Sequence, residues 1–229
     1  MAVRRSSAAE VPLRTVPTSA RGMRTRAALV AAARVVFARD GYVNARITDI
    51  SQEAEVAAGS FYTYFTSKEE IFQAVFEEVQ EEMLHPRMAE TEVHADVAST
   101  IEANNRVYLD LYRRNAPLMA VIEQVATVND EFRQMRLKRS RAFATRNARS
   151  IRRLQSLGLA DPDLDPEVAA RAISGMVSRL AYSTYVLEDP IPFDVLVATT
   201  TRLWLNALRI PDELPAAARR RRRSVAGST

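Results

Sequence analysis

Apolar residues recur at helical spacing along most of the chain. Leu29, Ala32, Val36 and Phe37 fall three and four positions apart or adjacent, which predicts an amphipathic helix over about 24–39. The same period predicts short helices over about 47–54 and 58–64, and a longer one starting after Ser67. Further along it predicts helices near 96–114, 117–128, 130–157, 166–187 and 193–208. Pro86, Pro117, Pro162, Pro166, Pro190, Pro192, Pro211 and Pro215 lie between these segments, where the missing amide costs least. Gly41 stands where a left-handed residue can end the first helix, and Gly158 where one can end the long basic helix. Ser67 with Glu70 has the form of a capping box, and Asp165 with Pro166 that of a capped helix start. Asn115 sits just ahead of Pro117 as a further cap candidate. The pattern predicts an all-α fold without internal repeats.

Composition agrees with that picture. The 229 residues are 47% hydrophobic, enough to bury a substantial core, and contain only 6 Gly. With no Cys, neither a disulfide framework nor a thiolate metal site is available, which fits a reducing cytosol. No apolar run approaches the roughly 18 residues that suggest a membrane span. Arg4 and Arg5 are not followed by an apolar stretch, so no secretory signal is expected. The net charge of +4 hides an asymmetry. Six Arg against Glu10 give residues 1–26 a net +5, and Arg219 to Arg223 add +5, leaving 4 − 10 = −6 for residues 27–215. The basic arm suits either a phosphate backbone or minor groove, or a solvated leader; the Arg run reads as a solubilising tail.

Residues 41–71, GYVNARITDISQEAEVAAGSFYTYFTSKEEI, read as a helix-turn-helix followed at once by the cap of another helix. Such a unit needs one helix to cross the DNA backbone, a tight turn, and a second helix whose N-terminal residues reach base edges. Ile50, Ala54, Val56, Phe61 and Phe65 supply its buried side. Periodicity alone would equally suit an ordinary helical hairpin. The two are separated by Gly41-Tyr42, Ile50, Ala54, Val56, Gly59-Ser60-Phe61-Tyr62, Tyr64-Phe65 and Ser67-Lys68-Glu69 occurring together. At this spacing the segment closely resembles the DNA-binding region of the tetracycline-repressor (TetR) family of bacterial transcriptional regulators. The resemblance is specific over residues 24–76; beyond them it rests on length, helix count and proline placement.

The resemblance implies an N-terminal three-helix helix-turn-helix DNA-binding domain joined to a C-terminal helical bundle that forms a homodimer. Residues 1–22 would be a flexible basic arm, 23–67 the DNA-binding domain, 68–212 the effector-sensing and dimerisation domain, and 213–229 a flexible Arg-rich tail. The implied function is a ligand-responsive, sequence-specific cytoplasmic repressor, bound to a palindromic operator as a homodimer and released by a small-molecule effector. No cofactor is implied. The competing reading is a ligand-independent architectural DNA-binding dimer. Carried over residue by residue, the likeness places Ala57, Ala58, Gly59, Ser60, Tyr62, Thr63 and Tyr64 in or beside the major groove. Tyr62, Tyr64 and Lys68 would touch phosphate or sugar and Thr63 a base, with Arg46 and Thr48 as further phosphate candidates. Arg46 departs from the family's usual Ser or Thr. Ala57 and Ala58 stand where polar or basic residues are frequent, and their methyl groups suit thymine.

In the C-terminal half, Ala169, Ala172, Ile173, Met176, Leu180 and Tyr185 form one small and apolar stripe, and Leu196, Thr199, Leu203 and Ala207 another. By family likeness these stripes form the dimer interface; by periodicity alone they could equally face their own core. Tyr108, Tyr112, Met119, Ile122, Phe132, Met135 and Phe143 suit the lining of an effector pocket or a plain core. Asn104, Asn105, Glu123 and Gln124 could orient a ligand or simply face solvent. Residues 133–153 carry nine basic side chains and no acidic one. They form either a solvated face paired with the Glu77 to Glu82 region, or a field that draws an anionic effector such as a coenzyme A thioester.

Catalysis is not expected. His85 and His94, the two histidines, lack the i, i+4 spacing of a helical zinc site, and GxSxG, phosphate-cradling and dinucleotide motifs are missing.

Overall fold

The computed structural model describes residues 19–84 and 96–211, and these residues form nine α-helices and no strand. The helices are α1 (Ala20–Asn44), α2 (Ile47–Glu53), α3 (Ala58–Tyr64), α4 (Lys68–Leu84), α5 (Val97–Arg114), α6 (Ala116–Val128), α7 (Asp130–Ser156), α8 (Pro166–Tyr185) and α9 (Phe193–Ala207). His85, His94, residues 1–18 of the basic arm and the Arg219–Arg223 run lie outside the described residues. The chain divides into two compact units between Phe76 and Glu77, inside α4. Among the described residues no helix is long and apolar enough to cross a membrane.

The first unit starts earlier than periodicity predicts, because the Ser19 hydroxyl accepts from the Gly22 amide at 3.1 Å and caps α1. Gly41 has a positive φ of 73° with ψ 174°, which is not the left-handed helical cap expected from the sequence but the extended mirror region. The helix kinks there and adds a short turn to Asn44. Leu29, Ala33, Val36 and Phe37 of α1 are fully buried, as are Ile50, Phe61, Phe65 and Ile71. Phe37 and Tyr42 close over Phe72, with ring centroids at 5.0 and 4.9 Å in edge-on geometry.

The capping box at α4 is half formed. Ser67 Oγ accepts from the Glu70 amide at 3.2 Å, but the Glu70 carboxylate accepts from the amide and hydroxyl of Thr66, one residue before the expected partner. A second cap also differs from expectation. Asn115 makes no side-chain cap for α6; its amide nitrogen donates backwards to the Leu111 carbonyl at 2.9 Å and closes α5.

In the second unit, local signals act where the sequence puts them. Asp165 accepts from the Val168 amide at 2.9 Å, and Gly158, at φ 68°, ends α7. Ala148 and Ile151 of α7 meet Ala170 and Ile173 of α8 in a buried cluster with Leu208. Small side chains let these helices approach closely, and Asn147 donates to Ser174 Oγ across them at 2.8 Å. Asn105 of α5 donates to Thr201 of α9 at 3.2 Å in a buried position.

Candidate nucleic-acid interface and ligand cavity

In the first unit, α2 and α3 are joined by Ala54 to Ala57. The Glu55 and Val56 amides donate to Gln52 and Ser51 carbonyls, each at 3.0 Å, and Glu55 takes a left-handed φ of 54°. Sequence reading did not single out Glu55, since a carboxylate carries no signal for that conformation. Ile50 and Phe61 are fully buried, so the two short helices are anchored by one large apolar side chain each.

Anchoring by Phe61 turns the remainder of α3 outward. Ala57, Ala58, Gly59, Tyr62 and Thr63 are exposed, Ser60 and Tyr64 half-buried. No acidic residue stands in the first turn of α3, so its free amides and helix dipole face solvent unopposed by a neighbouring carboxylate there. Arg46 and Thr48 are exposed at the start of α2, where Arg46 makes no side-chain cap bond. Tyr62 is edge-on to Phe61 at 5.4 Å, which braces an otherwise exposed ring. The result is an exposed set of small, hydroxyl-bearing and cationic groups.

Lys68 is placed differently from the phosphate-facing ammonium that the resemblance implies. Its Nζ donates to the carbonyls of Tyr42, Val43 and Ala45 at 2.8, 3.3 and 3.1 Å, and lies 4.7 Å from the Tyr42 ring centre. The ammonium has three hydrogens, and three main-chain oxygens receive them. Next to it, the Tyr42 hydroxyl donates to Glu69 at 2.7 Å. Burial pushes the Tyr42 phenol up from its ordinary value, and the Glu69 carboxylate adds to the rise. For Glu69, burial acts to raise the carboxyl, but hydrogen bonds led by that from Tyr42 hold it net below the ordinary value. Lys68 and Glu69 thus clasp the start of α4 to the kinked end of α1.

The second unit contains a cavity of 1230 Å³ bounded by α5, α6, α7, α8 and α9. Tyr108, Tyr112, Met119 and Phe143 line it, as do Asn104, Asn105, Glu123 and Gln124. Ile122 and Phe132 are buried and Met135 half-buried, all three outside that lining. The walls also carry Arg136, Arg139, Arg146, Arg153, Arg171 and Arg179 against Asp96 and Glu123. On α7, Arg133 pairs with Asp130, Arg136 with Glu123 and Arg152 with Glu167.

Arg139 stands apart. It is only 7% exposed, and its guanidinium donates to the sulfur atoms of Met83 and Met119 and faces the Phe143 ring. Burial pulls its pKa below the ordinary value, although a guanidinium stays charged at neutral pH. Sequence reading included it in a basic run without distinguishing it. A signal was present: Phe132, Arg139, Phe143 and Ile151 fall on one helical face of α7, so Arg139 belongs to the inward stripe.

On α8 and α9, Ile173 and Leu196 are buried in their own unit, while Ala169, Met176, Leu180 and Tyr185 are half-buried. Ala172, Thr199, Leu203 and Ala207 are exposed, and Val168 and Val195 extend the same surface at 65% and 54% exposure. Among the described residues no group of His, Cys, Asp and Glu is arranged to hold a metal ion.

Comparison with known proteins agrees with this architecture. Residues 29–75 match the family model described as bacterial regulatory proteins, tetR family. The chain is 29% identical over 191 residues to YfiR of Bacillus subtilis (strain 168), an HTH-type transcriptional regulator, covering 82% of this chain and 93% of that protein. In fold it is similar to the fatty acid degradation regulator FadR from Bacillus halodurans, with TM-score 0.69, 21% identity, and coverage of 82% and 97% of the two chains. It is likewise similar to FadR from Bacillus subtilis, solved in complex with stearoyl-CoA, with TM-score 0.68, 20% identity, and coverage of 79% and 98%. Its helix-turn-helix lies inside the matched residues, so the chain carries the N-terminal domain of bacterial regulatory proteins of the tetR family and is similar to transcriptional regulators over most of its length.

Proposed function

We propose that this regulator binds a palindromic operator as a homodimer, represses transcription in the bacterial cytoplasm, and is released by a small-molecule effector. The observation that carries the reading is the outward face of α3: Phe61 is fully buried while Ala57, Ala58, Gly59, Tyr62 and Thr63 are open to a groove. Gly59 admits the backbone close to base edges, Thr63 contacts a base, and the methyl groups of Ala57 and Ala58 pack on thymine. Ser60, Tyr62 and Tyr64 hold phosphate or sugar with Arg46 and Thr48. Lys68 contributes indirectly, because its hydrogens are committed to main-chain carbonyls at and just past the end of α1.

One α3 spans only a few base pairs, so two copies related by a twofold axis are required for a long site. The exposed Ala172, Thr199 and Leu203, with Val168 and Val195, support an isologous interface on α8 and α9. The cavity favours an effector-responsive regulator over an architectural dimer, which has no use for it. Tyr108, Tyr112, Met119 and Phe143 are the proposed effector contacts; Ile122, Phe132 and Met135 act behind them in packing.

Selection of bound sequences from a random DNA pool tests the reading. A twofold-symmetric motif with A·T pairs under Ala57 and Ala58 is expected, with affinity falling by orders of magnitude as salt rises. Thr63→Ala should change preference at one position in each half-site. Recovery of no motif, or of an asymmetric one, overturns the proposal.

A further inference from the structure

We infer that the cavity of the second unit receives an apolar organic anion whose charged group is buried against Arg139. The inference deepens the effector-responsive reading above and rests on it for its biological meaning. A charge taken out of water needs a partner of opposite sign or a set of oxygen acceptors. Among the described residues Arg139 has no directly bonded carboxylate or oxygen acceptor; the Glu123 carboxylate acts on it only through space and is itself paired with Arg136. The contacts of Arg139 are two thioether sulfurs, which are weak acceptors, and the Phe143 ring centre at 5.8 Å.

The other arginines of the wall are accounted for. Arg136 is paired with Glu123 at 2.7 Å, and Arg146 donates to the Leu84 carbonyl. Arg153, Arg171 and Arg179 are exposed and can be solvated. The buried, oxygen-poor guanidinium is therefore the point where an anion gains most, and its planar fork suits a carboxylate. Around it the wall is aromatic and flexible: Tyr108 packs edge-on to Phe143 at 5.9 Å, and Met119 touches both the guanidinium and the void. At 1230 Å³ the space exceeds the about 300–1,000 Å³ of common small-molecule sites. An acetate-sized anion would leave it largely unfilled, so the ligand brings a substantial apolar body.

The test uses the full chain with 1-anilinonaphthalene-8-sulfonate as a fluorescent apolar anion, displaced by dodecanoate or by dodecanol. Dodecanoate should displace the probe at a concentration at least tenfold below dodecanol, the range expected for a hydrogen-bonded charged contact. Arg139→Met, which sets a thioether among thioethers, should remove most of that preference. It should also leave the ligand-free melting temperature unchanged or higher, since a merely structural arginine would lower it on replacement. Equal potency of dodecanol in the wild type, no displacement by dodecanoate, or an undiminished preference in Arg139→Met overturns the inference. Should Arg139→Met fail to fold, the wild-type comparison of acid and alcohol decides alone. Operator release is read separately: dodecanoate that binds through Arg139 without loosening DNA supports this inference and counts against the effector-responsive reading.

Discussion

Gly41 adopts a backbone conformation open in practice only to glycine, with φ 73° and ψ 174°. A methyl group placed there would meet nothing within 4 Å, so its cost is conformational and not steric crowding from neighbours. Gly41→Ala should therefore destabilise the first unit by about 1–3 kcal/mol, measured by urea unfolding. The adjacent Tyr42 and Glu69 make a pH-dependent pair. Glu69 titrates below its ordinary value in the folded state, so its contribution is present above the ordinary 4.5 and fades as pH falls through the acid range. Tyr42 is raised, so its contribution is present below the ordinary 10.0 and fades as pH rises beyond it. Tyr42→Phe should cost about 0.5 kcal/mol near neutrality, the low end for an exposed hydrogen bond, with the difference from wild type shrinking at both extremes. Urea titrations across pH give the comparison; a constant difference would rule out the linkage.

Among the elements, α3 is seven residues long and too short to be stable by itself. Its orientation comes from Phe61 below and from neighbouring α4, whose start is tied down by Lys68. Lys68→Met keeps the alkyl stem and removes the ammonium, leaving the carbonyls of Tyr42, Val43 and Ala45 without those donors. A loss of about 1–3 kcal/mol is expected, because partly buried acceptors lose a charged donor. DNA affinity should fall by a similar factor on the selected operator and on scrambled duplex, measured by fluorescence anisotropy. A selective loss on the operator alone would mean that Lys68 reads sequence.

For the whole molecule, the proposed function depends on two copies of α3 held at a fixed separation. Leu203 is 41% exposed on α9, so Leu203→Glu should leave the helical content of one chain intact. Placed in an isologous interface, the carboxylate meets its twofold-related surface and is desolvated twice. We expect monomers in analytical ultracentrifugation and at least a tenfold loss of operator affinity; an unchanged dimer would remove α9 from the interface.

Most helix boundaries after α1, and the caps at Gly158 and Asp165, are legible in the sequence, because amide bonding and capping energies are set by residues within about four positions. Gly158, Asp165 and the span of α3 follow this rule, and so does the buried Phe61 that exposes the rest of its helix. Asn115 and Glu70 show its margin: the Asn115 side-chain amide turns back to the Leu111 carbonyl, and the Glu70 carboxylate meets Thr66 in place of Ser67. Tertiary structure alone decided the cavity. Periodicity marks Phe132 and Phe143 alike as inward residues, yet only Phe143 meets open space, since that depends on how far α5, α6 and α8 stand from α7. The same packing between distant segments put Met83 and Met119, in place of a carboxylate, against Arg139, and so turned one member of a basic run into a buried charge facing a void.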